Sequence, residues 1–91
     1  MKKETAKKAA KWWADQLRGH AKEQVNLFEK CLADILIKEN PKWGFGVDCN
    51  PDAILEYAAY QAGLVLGMTT LPWKTMMRID NDKITVRGIW C

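Results

Sequence analysis

The side chains best suited to chemistry in this chain are cationic and gather near its C-terminal end. Lys74, Arg78, Lys83 and Arg87 fall at spacings that suit one side of two paired strands. Guanidinium and ammonium groups sharing a face make an anion site, for phosphates or for an acidic protein surface. A solvated sheet face needs polar residues in any case, and lysine and arginine discourage edge-to-edge aggregation, so a purely structural explanation stands beside the functional one. Met76 and Ile89 set apolar surface among the charges, as binding faces do, whereas Asp80 and Asp82 are expected to neutralise part of the turn.

Tryptophan is the second feature. Five in 91 residues is a high frequency, and tryptophan is enriched where binding energy concentrates. Core packing explains most of them, because a thin core profits from large side chains. Trp12 and Trp43 are the candidates for exposed anchors: Trp12 lies at the edge of an apolar helical stripe, and Trp43 sits with Phe45 in a glycine-flanked segment. Either ring could stack on a nucleobase or fill a pocket in a protein partner.

Enzymatic chemistry lacks its parts. A nucleophile needs a base within hydrogen-bond reach, usually histidine, and the single histidine, His20, stands among lysines at a helix junction. Asp48, Asp52 and Glu56 could converge on a divalent cation, but a helix dipole already accounts for Asp52 and an ordinary exposed helical position for Glu56. Cys31, Cys49 and Cys91 form no Cys-x-x-Cys pair, which argues against zinc and against a disulfide framework and for a reducing compartment. Gly44-Phe45-Gly46 is too short to cradle a phosphate and reads as a turn. No catalytic residue, metal site or cofactor is expected.

The elements that must position these residues follow from periodicity. Residues 3–18 read as a first helix, with Ala6, Ala9, Ala10, Trp13 and Leu17 on one stripe and Gly19 as its stop. Residues 21–39 read as a second helix with a wide apolar arc (Val25, Phe28, Leu32, Ile35, Leu36, broadened by Leu27 and Cys31), ended by Asn40-Pro41. Residues 42–49 read as an aromatic loop or short strand. Asn50-Pro51-Asp52 announces a third helix, with Asn50 as N-cap, Pro51 at the first helical position, and Ala53, Ile54, Tyr57, Ala58 and Gln61 following, closed by Gly63. Residues 64–71 are open between an irregular connection and a further strand.

The C-terminus reads as a β-hairpin. A two-residue Asn81-Asp82 turn pairs Asp80 with Lys83, Ile79 with Ile84, Met77 with Val86, Thr75 with Gly88 and Trp73 with Trp90. Trp73, Met77, Ile79, Ile84, Val86 and Trp90 then share one face, and Lys74, Met76, Arg78, Thr85, Arg87 and Ile89 the other. An isolated hairpin is marginal in water, so its apolar face must cover helices. The expected fold is α+β: three helices packed on one face of a small antiparallel sheet ending in a C-terminal β-hairpin, all within a single domain, 1–91.

Composition sets limits. Apolar residues make up 48% and charged residues 27%, a globular balance. No run is long enough to span a bilayer, and no apolar segment follows the charged Met1-Lys2-Lys3 start, so a cytoplasmic location is expected. A net charge of +3 is mild; it favours an anionic partner and argues against DNA mimicry by an acidic surface.

Three segments carry a resemblance: Ala10-Lys11-Trp12-Trp13-Ala14-Asp15-Gln16-Leu17-Arg18, Val47-Asp48-Cys49-Asn50-Pro51-Asp52-Ala53-Ile54-Leu55, and Leu71-Pro72-Trp73-Lys74-Thr75-Met76-Met77. Together, in this order and over most of the chain, they resemble a group of small uncharacterised proteins encoded in phages and prophages of Gram-positive gut bacteria. This chain departs from the longer members in a short stretch between its first two helices and an end shortened to Ile89-Trp90-Cys91. The resemblance implies a setting: phages encode many short, non-enzymatic proteins that block bacterial immunity. The expectation is an anti-defence inhibitor that binds a host defence protein, foremost a CRISPR nuclease complex. The alternatives are a sponge for a cyclic nucleotide signal, with cations clamping phosphates and tryptophan stacking on the base, and weak direct nucleic-acid binding, ranked last for want of charge. Oligomeric state is not legible.

Overall fold

A computed structural model describes residues 1–17, 19–41, 44–47, 52–64 and 74–88. In chain order these form α1 (Lys3–Ala14), α2 (Lys22–Glu39), β1 (Phe45–Val47), α3 (Ala53–Gln61), β2 (Thr75–Asp80) and β3 (Lys83–Gly88). The class is α+β, and the hairpin lies where its alternation predicted.

Helix α1 forms because alanine, lysine and glutamate favour helix, and Ala6, Ala9, Ala10 and Trp13 are all fully buried. Three alanines on one stripe let α2 approach closely, and α1 and α2 pack together. The helix stops at Ala14 rather than running to 18. Gln16 N–H donates to the Trp13 carbonyl at 3.1 Å and Leu17 N–H to the Ala14 carbonyl at 3.0 Å. These i→i−3 bonds tighten the last turn and carry Leu17 into the core. Asp15 therefore caps the helix, and Gly19 lies beyond its end.

Helix α2 buries Phe28, Leu32, Ala33 and Leu36. Val25, Cys31 and Ile35 pack half-buried around them, while Leu27 is exposed. The helix ends where the Asn-Pro pair predicted, with Asn40 in the left-handed region at φ 43° and its N–H returning to the Leu36 carbonyl at 2.8 Å.

Helix α3 differs from expectation at its start. Its N-cap is Asp52, one Oδ of which accepts from Ile54 N–H at 3.5 Å, so Asp52 holds the role assigned to Asn50. Asn50 and Pro51 lie outside the described residues. The buried face is Leu55, Ala58, Ala59, Ala62 and Leu64, and Tyr57 is 57% exposed. Small residues face α2, which packs against α3, and the tyrosines keep their hydroxyls in water. A Schellman closure ends the helix: Leu64 N–H donates to the Ala59 carbonyl at 2.8 Å and Gly63 N–H to the Tyr60 carbonyl at 3.1 Å.

The sheet has the order β1-β2-β3, antiparallel throughout. The hairpin register agrees with prediction pair for pair from Thr75↔Gly88 to Asp80↔Lys83. Asn81 and Asp82 both have positive φ, 47° and 62°, as a type I′ turn requires. The Trp73–Trp90 pair lies outside the described residues, as does the segment 65–73. The third strand comes instead from the aromatic segment, with Phe45 opposite Met77 and Val47 opposite Thr75.

One sheet face joins the core. Phe45, Val47 and Met77 are buried, and Phe45 packs against Trp13 with ring centroids 5.9 Å apart. Helical cover thins toward β3, where Ile84 is half-buried and Val86 is 36% exposed. The predicted burial of Val86 is thus incomplete, because α1 meets the hairpin at Asp82 in its turn and Val86 stands four residues farther along. The contact at the turn is specific. Asp82 Oδ1 accepts from Lys2 N–H at 3.0 Å and from the Thr5 hydroxyl at 2.9 Å. Lys2 is the N-cap of α1 and supplies no side-chain cap of its own, so a carboxylate distant in sequence occupies the positive end of that helix.

Candidate functional site

Strand alternation and the I′ turn set the outer face of the hairpin. On β2 it carries Met76, Arg78 and Asp80, and on β3 Lys83, Thr85 and Arg87, with Met76 opposite Arg87, Arg78 opposite Thr85 and Asp80 opposite Lys83. Arg78 and Arg87 are diagonal neighbours on this face, a placement that brings side chains to roughly 7–8 Å. That is within a Debye length of about 8–10 Å at working salt, so their fields add. Arg78, Lys83 and Arg87 are all exposed. Lys11 pairs with Asp15 on α1 at 3.5 Å, whereas none of these three hairpin cations enters an ion pair among the described residues.

These side chains rim an open depression of about 710 Å³ lined by Gly44, Met76, Arg78, Asp80, Lys83, Thr85 and Arg87, among others. Beside it, β1 approaches β2 closely. Gly46 faces outward opposite Met76, and a Cβ there would sit 2.8 Å from Met76 Cα and 3.0 Å from its Sδ. Met76 therefore lies over a bare backbone, and its thioether supplies apolar surface between the charges.

The turn contributes less negative charge to this face than expected. Asp80 stays on it, but the Asp82 carboxylate is turned to the α1 N-terminus. The Lys2 N–H and then the Thr5 hydroxyl hold its pKa below the ordinary carboxylate value. The sequence put both aspartates against the cations; the structure leaves one.

The other predicted residues are placed as follows. Lys74 stands just before β2, half-buried, with φ of 56°, so the pleat that orients the face begins after it. Trp12 is half-buried and packs edge-on against Trp13, centroids 4.9 Å apart and planes at 83°; it braces the core. Trp43 lies outside the described residues. His20 is exposed. Among the described residues no group of histidine, cysteine, aspartate and glutamate could hold a metal ion; Asp48 and Cys49 lie outside them. Tyr57 and Tyr60, 57% and 78% exposed on α3, are aromatic surface that the sequence reading did not single out as a candidate site. The spacing of Ala58, Ala59 and Ala62, which makes a small-residue face opposite the tyrosines, is the signal that could have found them.

Fold and face together define a small α+β protein with a cationic, partly apolar sheet surface. Compared with known proteins, the chain matches no family model, no curated protein and no solved structure. Among the described residues no helix is long and apolar enough to cross a membrane.

Proposed function

We propose that this chain is a non-enzymatic binding protein that docks the outer face of its C-terminal hairpin, through Arg78, Lys83 and Arg87, against an acidic protein surface. The observation that carries this reading is the placement of three exposed cations on one pleated face, none of them in an ion pair among the described residues although Asp80 stands opposite Lys83. A protein surface is favoured over a nucleotide because, among the described residues, that face carries no aromatic ring to stack on a base: Met76 and Thr85 stand between the cations. The setting rests on the phage-protein resemblance. In that setting the partner is a bacterial immune effector, foremost a CRISPR nuclease complex, and binding blocks it.

The test is co-elution of the purified chain with a panel of such complexes, with target cleavage measured in parallel. Binding with loss of cleavage supports the reading. If the whole panel ignores the chain, while a cyclic di- or trinucleotide raises its melting temperature through ligand linkage, the partner is a messenger and the protein-docking reading fails.

A further inference from the structure

Strand β3 is an edge. It pairs with β2 on one side, and among the described residues nothing pairs with the other. A two-residue hairpin turn makes Asp80↔Lys83 the first hydrogen-bonded pair, and such pairs then alternate along the ladder. Lys83, Thr85 and Arg87 therefore direct their N–H and C=O groups at β2, and Ile84, Val86 and Gly88 direct theirs outward. An edge of this kind is a template for another strand.

We infer that β3 receives an extended, acidic segment of the partner as a fourth, antiparallel strand. This rests on the reading that the hairpin face engages an acidic protein, and it specifies how. Charge selects the occupant. A second copy of the chain aligned about Thr85 would set Lys83 against Arg87 of the other copy, and like charges directly opposite are destabilising. A guest strand with carboxylates at those places gains instead. The guest positions facing Lys83 and Arg87 are non-hydrogen-bonded pairs with β3, the pairs in which side chains lie closest. They are four residues apart, which fixes a spacing of acid, three residues, acid.

The residues between follow from the faces of β3. Positions opposite Ile84 and Val86 point to the core side, where Val86 is 36% exposed and Ile84 half-buried, so the guest carries apolar β-branched residues there. The position opposite Thr85 lies on the outer face and suits threonine. Read from its N-terminus, the guest is acid-apolar-threonine-apolar-acid.

The probe is a capped Glu-Val-Thr-Val-Glu peptide, titrated into the folded chain while backbone amide resonances are followed by NMR. The expected result is saturable shifts centred on Ile84, Val86 and Gly88. Methylating both valine nitrogens of the peptide removes the donors that face β3 and should weaken binding by about tenfold or more. A Lys-Val-Thr-Val-Lys peptide should not bind. Val86→Pro should keep the fold, because the Val86 N–H faces away from β2 and edge proline is tolerated there, and should lose the peptide.

Absence of binding, or equal binding by the N-methylated peptide, overturns strand addition, and the second result needs no variant to fold. Two failures remain distinguishable. If Val86→Pro still binds the peptide while Arg78→Glu with Arg87→Glu does not, the cationic face binds without strand pairing. If the charge-reversed variant binds as well as the parent, the docking face itself is wrong.

Discussion

Replacing Gly46 by alanine tests the β1–β2 contact that borders the proposed binding face. The new methyl carbon would lie 2.8 Å from Met76 Cα and closer still to the Thr75 carbonyl oxygen. Non-bonded carbons rest at about 3.5–4.0 Å, so β1 and β2 must separate by roughly 1 Å. Both obstacles are backbone, and side-chain rotation cannot relieve them. Separation weakens the Phe45↔Met77 and Val47↔Thr75 pairs together and draws fully packed Phe45 away from Trp13. Ordinary overpacking costs about 1–3 kcal/mol; with a three-residue strand displaced as well, the expected loss is at least about 3 kcal/mol. For a domain of this size that lowers the melting temperature by about 12–24 °C.

Gly19→Ala is the control. Gly19 has φ of 80° and open space around its Cβ position, so it suffers backbone strain alone, about 1 kcal/mol. Urea unfolding followed by tryptophan fluorescence and circular dichroism gives both values. A Gly46→Ala variant no less stable than Gly19→Ala would refute the tight β1–β2 approach and the position of Met76 on the outer face.

Other outcomes follow from the same geometry. Asp82→Asn should lower stability at pH 6, read as a smaller urea midpoint, because the carboxylate that receives the α1 N-terminus is gone. The lowered pKa of Asp82 means its contribution is fully present above the ordinary value of 3.8 and is lost as pH falls through the depressed folded value. The gap between wild type and Asp82→Asn should therefore begin to narrow as pH falls below about 3.8 and close only below the depressed folded value, and a gap that does not change with pH contradicts the clasp. Tyr57→Ser and Tyr60→Ser should each change stability by about 0.5 kcal/mol or less, whereas Leu55→Ala should cost about 2–5 kcal/mol; the reverse order would mean that α3 is turned on its axis. Arg78→Glu with Arg87→Glu should leave the melting temperature within a few degrees of wild type, since both side chains are exposed and carry no ion pair among the described residues.

Much of the hairpin was legible from period-2 alternation and a single turn pair. Asn81-Asp82 tolerates positive φ, and that alone fixes which residues oppose which and places Arg78 and Arg87 on one side. Helices α1 and α2 were legible as stripes, though the early stop of α1 depends on a tightened last turn that no residue type announces. Long-range contacts were not legible. Asp82 reads as a turn residue, and nothing nearby in sequence says that its carboxylate serves Lys2 and Thr5. The third strand was half-visible: Phe45 and Val47 alternate, but three residues with a glycine before them and another at their centre resemble a loop until β2 pairs with them. The outward face of α3 was not legible, because an aromatic residue at helical spacing usually packs inward; here three alanines on the other side let α2 approach and leave the Tyr57 ring in solvent.

The most direct test of the central claim compares wild type with the Arg78→Glu, Arg87→Glu variant in binding to, and inhibition of, any CRISPR nuclease complex of the panel that co-elutes with the wild-type chain. Each exchange removes two units of charge, taking the chain from +3 to −1. Loss of two charge-assisted contacts should weaken binding by about a hundredfold, with circular dichroism unchanged and cleavage restored. A folded variant that binds and inhibits as well as wild type would place the docking surface elsewhere on the molecule.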